Sequence, residues 1–111
     1  MDLDGPWGWR QISSADVCEI FSKLGNFESM SHGALFGPGG AGKTYELAGL
    51  AAVNRDATRR ISELELDDED ELHRLRLTGE RRLYGLLRGR DFYVLWWDPN
   101  HQVWPSPLKH T

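Results

Sequence analysis

A chain of 111 residues makes one domain and leaves no room for two independent cores. At 40% hydrophobic and 27% charged residues it has the profile of a globular domain, and no apolar run nears the roughly 18 residues of a membrane span. One cysteine, Cys18, excludes an internal disulfide and a cysteine-built zinc cluster; the acidic start Met1-Asp2-Leu3-Asp4 lacks signal-peptide features, so a cytoplasmic setting without a membrane partner is expected.

The formal charge of −4 conceals a division. Residues 1–71 carry six Lys/Arg against fourteen Asp/Glu, whereas residues 72–111 carry seven against three. Either the C-terminal part meets an anionic partner, or the two parts neutralise each other inside one fold. Trp7, Trp9, Trp96, Trp97 and Trp104 cluster near the two ends of the chain, which predicts that the termini pack together around them.

In chain order, Ser13 and Ser14 precede Val17, Ile20, Phe21 and Leu24, spaced as one face of a helix. Gly25 reads as a left-handed stop, which predicts a helix over 14–24 with Cys18 as a small packing residue beside the apolar face. A further helical turn is expected over 31–36, followed by the loop chemistry of Gly37-Pro38-Gly39-Gly40-Ala41-Gly42. Residues 45–50 fit a short strand or the start of a helix. Asn54 suits the N-cap of a second amphipathic helix carrying Ala57, Ile61 and Leu64. Asp67-Asp68-Glu69-Asp70-Glu71 reads as a solvated acidic turn or as a metal site, though it lacks the glycine and spacing of a calcium loop. Neither a metal nor a cofactor is expected.

From Leu72 the period changes to two. His73, Leu75 and Leu77 alternate with Arg74, Arg76 and Thr78, and Leu83, Gly85 and Leu87 alternate with Arg82, Tyr84 and Arg88. The run from Phe92 to Trp97 is nearly all apolar, as for a central strand buried on both sides. Gly79-Glu80 and Gly89-Arg90 supply tight hairpin turns, and Pro99 ends the third strand. The predicted class is α+β in a single domain over 1–111: N-terminal helices within 1–66, packed on a C-terminal antiparallel meander within 72–104 that carries an arginine-rich face.

The string Gly37-Pro38-Gly39-Gly40-Ala41-Gly42-Lys43-Thr44 satisfies the P-loop pattern, in which Lys43 would reach nucleotide phosphates and Thr44 would bind magnesium. Its context argues against that reading. A P-loop needs a buried strand before it and a helix after it within a parallel sheet, whereas the strand ending at Asp98 belongs to an antiparallel meander.

Two resemblances rest on the C-terminal residues. Glu71-Leu72-His73-Arg74-Leu75-Arg76-Leu77-Thr78-Gly79 and Val94-Leu95-Trp96-Trp97-Asp98-Pro99-Asn100-His101 resemble small uncharacterised bacterial proteins ending in an L-W-W-D-P-x-H motif, a likeness that includes Gly5-Pro6-Trp7-Gly8-Trp9. In those proteins the stretch held here by 37–43 resembles a variable loop. Arg74-Leu75-Arg76, then Arg82-Leu83-Tyr84 and His101, are more loosely similar to RelE/YoeB-like toxins of bacterial toxin–antitoxin pairs. That resemblance implies two helices on an antiparallel sheet, mRNA cleavage, RNA or the ribosome as partner and a cognate antitoxin protein.

RNA cleavage by 2′-OH attack needs a base, a cation for the phosphorane and an acid for the leaving oxygen. The candidate catalytic residues are His101, Arg76, Arg82 and His110; Arg74, Tyr84, Arg88 and Lys109 are candidates for binding RNA, with Tyr84 stacking on a base. The plainer alternative keeps the arginines for solubility and His101 for holding the Pro99 turn. The rival function is a non-catalytic interaction module, antitoxin-like or phage-related, with the Trp-rich ends as its partner surface.

Overall fold

A computed structural model describes residues 1–10 and 12–105. Its elements are α1 (Ser14–Glu28), α2 (His32–Phe36), β1 (Gly42–Glu46), a 3-10 turn (Leu47–Gly49), α3 (Leu50–Val53), α4 (Arg55–Glu63), β2 (Glu71–Arg76), β3 (Arg82–Arg88) and β4 (Asp91–Asp98). The class is α+β. Among the described residues no helix is long and apolar enough to cross a membrane.

Local chemistry sets the helix starts. The side chains of Ser13, Ser31 and Asn54 accept from the backbone N–H groups of Asp16, Ala34 and Ala57, three N-caps in the positions their residue types favour. The end of α1 departs from expectation. The helix runs through Gly25, whose missing side chain would face open space, and stops at Ser29. With two extra half-turns it brings Phe27 against the sheet beside Ile20 and Leu24. Phe21 and Cys18 are exposed, so neither belongs to the buried face.

The sheet has four strands in the order β1-β2-β3-β4, each pair antiparallel. Its fourth member is β1, which begins at the end of the glycine loop and takes the strand alternative for Tyr45, in the part of the chain otherwise expected to supply the helices. Gly42 is buried under Phe36: a Cβ there would lie 2.5 Å from Phe36 Cδ1. Gly89-Arg90 forms the expected two-residue turn with Gly89 at φ 62°, because Arg88 pairs with Asp91. The other turn is wider, since the Leu77 N–H donates to Arg81 O at 2.9 Å and leaves three residues between them.

The largest correction concerns β4, which is an edge strand and not a central one. Residues 2–9 cover its outer side. The Asp2 N–H donates to Leu95 O at 3.1 Å, the Trp97 N–H donates to Trp7 O at 3.0 Å, and the Trp9 indole also donates to Leu95 O. An edge strand can be apolar on both faces when another segment of the chain closes its ladder.

Helices cover both faces of the sheet. On one, α1 and α2 enclose Ile20, Leu75, Leu77, Leu83 and Trp97; on the other, α3, α4 and the residues after β4 enclose Leu50, Ala57, Ile61, Leu72, Tyr84, Trp96 and Val103. Trp7 and Trp96 meet with ring centroids 5.3 Å apart, and Trp104 stacks on Tyr45 at 4.2 Å. The termini do pack together around tryptophan. Trp7, Trp96 and Trp97 are buried, so of the Trp-rich ends only the half-buried Trp9 and Trp104 offer surface.

Candidate functional site

Strand register decides which arginines meet. Leu77 and Arg81 form a hydrogen-bonded pair of the β2–β3 ladder, so the alternate pairs Arg76–Arg82 and Arg74–Tyr84 are non-hydrogen-bonded ones. In such pairs the side chains stand closest, about 4.5 Å between Cα atoms. Two arginine side chains therefore leave the sheet side by side, an arrangement of like charges that disfavours folding when no anion intervenes. Lys43 of β1 lies opposite Arg74, and Asp98 of β4 lies opposite Arg82, all on one face.

The neighbours give this charge little direct pairing. Arg82 is only 9% exposed; its Nη1 donates to Gly79 O at 2.7 Å and to Arg81 O at 3.0 Å, but its buried Nε has no partner. Arg74 reaches Ala41 O at 3.5 Å, and its buried Nε is also unpartnered. Among the described residues none of Arg74, Arg76 and Arg82 makes an ion pair. Burial, and then the nearby Arg74, hold the Arg82 guanidinium below its ordinary value. Mutual neutralisation of the two parts holds instead for Arg81, paired with Glu19, and Arg88, paired with Glu69, while Arg60 pairs with Asp2 within the first part.

Asp98 fixes the remaining wall. It is fully buried, and its two oxygens accept from the backbone N–H groups of Gln102 at 2.9 Å and Val103 at 2.8 Å. This Asx-type turn carries His101 in the left-handed region at φ 56°. His101 is half-buried, close enough to Arg82, Asp98 and Arg74 to feel all three charges. Burial and then Arg82 push its pKa down, against the opposing pull of Asp98, so the imidazole is neutral near pH 7 and able to accept a proton.

His101, Arg74, Arg76 and Arg82 thus share one corner, joined by Lys43 and Asp98, which sequence reasoning did not place there. The Asp98-Pro99-Asn100 turn was the only local signal for Asp98. Other expected residues lie elsewhere. Arg88 is six residues along β3 from Arg82, about 20 Å at the usual rise, and it is tied to Glu69. Tyr84 cannot stack on a base, because its ring is fully buried in the core. Burial pushes its phenol above the ordinary value, and its hydroxyl is unpartnered; the Trp104 backbone N–H approaches without hydrogen-bonding geometry. Tyr84→Phe should accordingly leave stability unchanged or raise it by about 1 kcal/mol, read as the urea midpoint. A loss of more than that would mean the hydroxyl is engaged. Lys109 and His110 lie outside the described residues.

Lys43 and Thr44 are strand residues. No helix follows the glycine loop directly, and Thr44 Oγ1 is 3.0 Å from His73 Nδ1. The loop therefore lacks the strand–loop–helix geometry that cradles a nucleotide. Among the described residues no three His, Cys, Asp or Glu side chains converge as metal ligands, the acidic run included. Its Asp70 O accepts from the Leu47 N–H, and its Glu69 holds Arg88. No known protein family, curated protein or solved structure matches the chain.

Proposed function

We propose that the chain binds RNA through the corner formed by Lys43, Arg74, Arg76, Arg82 and His101. The observation that carries the reading is the Arg76–Arg82 cross-strand pair, with Arg74 adjacent, buried in part and, among the described residues, without an ion-paired carboxylate. A phosphate between such groups takes two-pronged, charge-assisted hydrogen bonds and relieves their repulsion. Arg76 and Lys43 are the exposed members and make the first contact. The neutral His101 beside them suits it to take a 2′-OH proton, which supports a further step, RNA scission of the kind made by RelE/YoeB-like toxins, with a cognate antitoxin as the partner that would cover the corner. Binding is the better-supported part, since among the described residues only His101 is placed for proton transfer.

Fluorescence anisotropy with a labelled single-stranded RNA tests it. Arg76→Ala should weaken binding about tenfold and reduce the slope of affinity against salt by about one, whereas Arg88→Ala should change affinity less than about twofold. His101→Ala should cost less affinity than Arg76→Ala does and abolish any cleavage. Absence of RNA binding at low salt, or equal losses in Arg76→Ala and Arg88→Ala, would sink the proposal. Growth arrest on induced expression, relieved by His101→Ala, is the outcome required of a toxin.

A further inference from the structure

The two edges of the sheet are treated differently. Residues 2–9 close the β4 edge with backbone hydrogen bonds, but no described residue does so for β1. The Arg76 N–H donates to Ala41 O at 2.8 Å and the Leu47 N–H donates to Asp70 O at 2.9 Å, at either end of the β1–β2 ladder. With Gly42 opposite Leu75 and Thr44 opposite His73, alternation makes 41, 43, 45 and 47 the positions bonded to β2. The N–H and C=O groups of Gly42, Thr44 and Glu46 therefore point away from the sheet. Thr44 and Glu46 are exposed. Short length, one lysine and one glutamate are what blunt this edge within the strand.

We infer that this edge joins a second copy of the chain, β1 to β1 antiparallel about a two-fold axis at Thr44, to make one continuous eight-stranded sheet. The strand's own residues choose that occupant. About Thr44, the two Thr44 residues form a narrow hydrogen-bonded pair, and Gly42 of each copy faces Glu46 of the other. Lys43 of each copy falls opposite Tyr45 of the other, the ring it already lies over within its own strand, with Nζ 5.2 Å from the centroid. No like charges meet. A neutral β-branched residue sits on the axis, where any charge would face itself, and the carboxylate faces a glycine. Beside the edge, the half-buried Tyr45–Trp104 stack supplies aromatic surface to both sides of the joint. Because the axis is perpendicular to the sheet, the two basic corners come onto one face and present a longer track to a polyanion.

The oligomeric state of the whole chain tests this. Light scattering after gel filtration should give a mass near twice 12.7 kDa at about 100 µM, an ordinary working concentration for micromolar association. Thr44→Pro removes the outward N–H and keeps the backbone bonds to β2, giving up only the Thr44 hydroxyl contact to His73, and should weaken dimerisation at least tenfold. A chain carrying Cys18→Ser and Thr44→Cys should cross-link at residue 44 on mild oxidation. A narrow antiparallel pair holds its Cα atoms about 5.5 Å apart, within disulfide range. The cross-link keeps the test open if Thr44→Pro fails to fold. A chain that is monomeric at that concentration, a Thr44→Pro variant that dimerises as well as the parent, or no cross-link at residue 44 overturns the inference, and the first of these would leave the edge to an extended peptide of another protein.

Discussion

Asp2→Ala is expected to lower the free energy of unfolding by about 3 kcal/mol, an outsized effect for a residue one position from the start of the chain. Asp2 is 2% exposed, and its carboxylate accepts from Arg60 Nη2 at 2.8 Å, Arg60 Nε at 3.0 Å, Trp96 Nε1 at 2.8 Å and the Gly5 N–H at 3.2 Å. Removing it strands the Trp96 indole N–H inside the core, where an unpaired donor costs more than a bond to water returns. It also unlocks residues 2–9 from α4, so the outer ladder of β4 opens with it. Asp2→Asn keeps one acceptor and should fall between the parent and the alanine variant in urea denaturation. Equal stability of all three would mean that the clip over β4 holds without its carboxylate.

The same group sets an acid limit. The Arg60 hydrogen bonds, helped by those from Trp96 and Gly5 and opposed by burial, lower its pKa from 3.8 to about 2. A carboxyl whose folded pKa is depressed stabilises the fold fully above its unfolded value and loses that contribution as the pH falls through the folded one. The gap between the parent and Asp2→Ala should therefore be constant above about pH 5 and narrow between pH 4 and pH 2. A gap that does not change over that window would assign the effect to shape rather than charge.

How much of this was legible in the sequence depends on how far each cause reaches along the chain. Asn54 with Ala57, and Gly89-Arg90 between two alternating runs, carry their causes within four residues, and both elements form as read. The strand character of Lys43-Thr44-Tyr45 comes from pairing with His73 and its neighbours some 29 residues away, so a glycine-rich loop hid it. Leu95-Trp96-Trp97 signalled burial on both faces correctly, and helices cover those faces, but the outer edge is closed by backbone from residues 2–9, where a period-based reading places a further strand. The corner was half legible. Alternation put Arg74, Arg76, Arg82, Tyr84 and Arg88 on one face; only register and burial separate the three that meet from Tyr84, which is core, and Arg88, which is at the other end.

Asp98 joins the fold to that corner, and its replacement should show the link directly. Asp98→Ala leaves the Gln102 and Val103 N–H groups without acceptors in a buried turn, for an expected loss of about 2–3 kcal/mol, while Asp98→Asn can satisfy one of the two and should lose about half as much. Both changes remove the negative charge that raises the His101 pKa against burial and Arg82. The His101 ring should then titrate at a lower pH in Asp98→Asn than in the parent, followed by NMR of its ring protons. The sign is the informative part. An upward movement would mean that the turn has opened and let water reach the imidazole, so that Asp98 acts on His101 by holding its loop and not by its charge. A downward movement with the fold intact gives the neutral imidazole, the form able to take a proton, a wider pH range beside the three arginines.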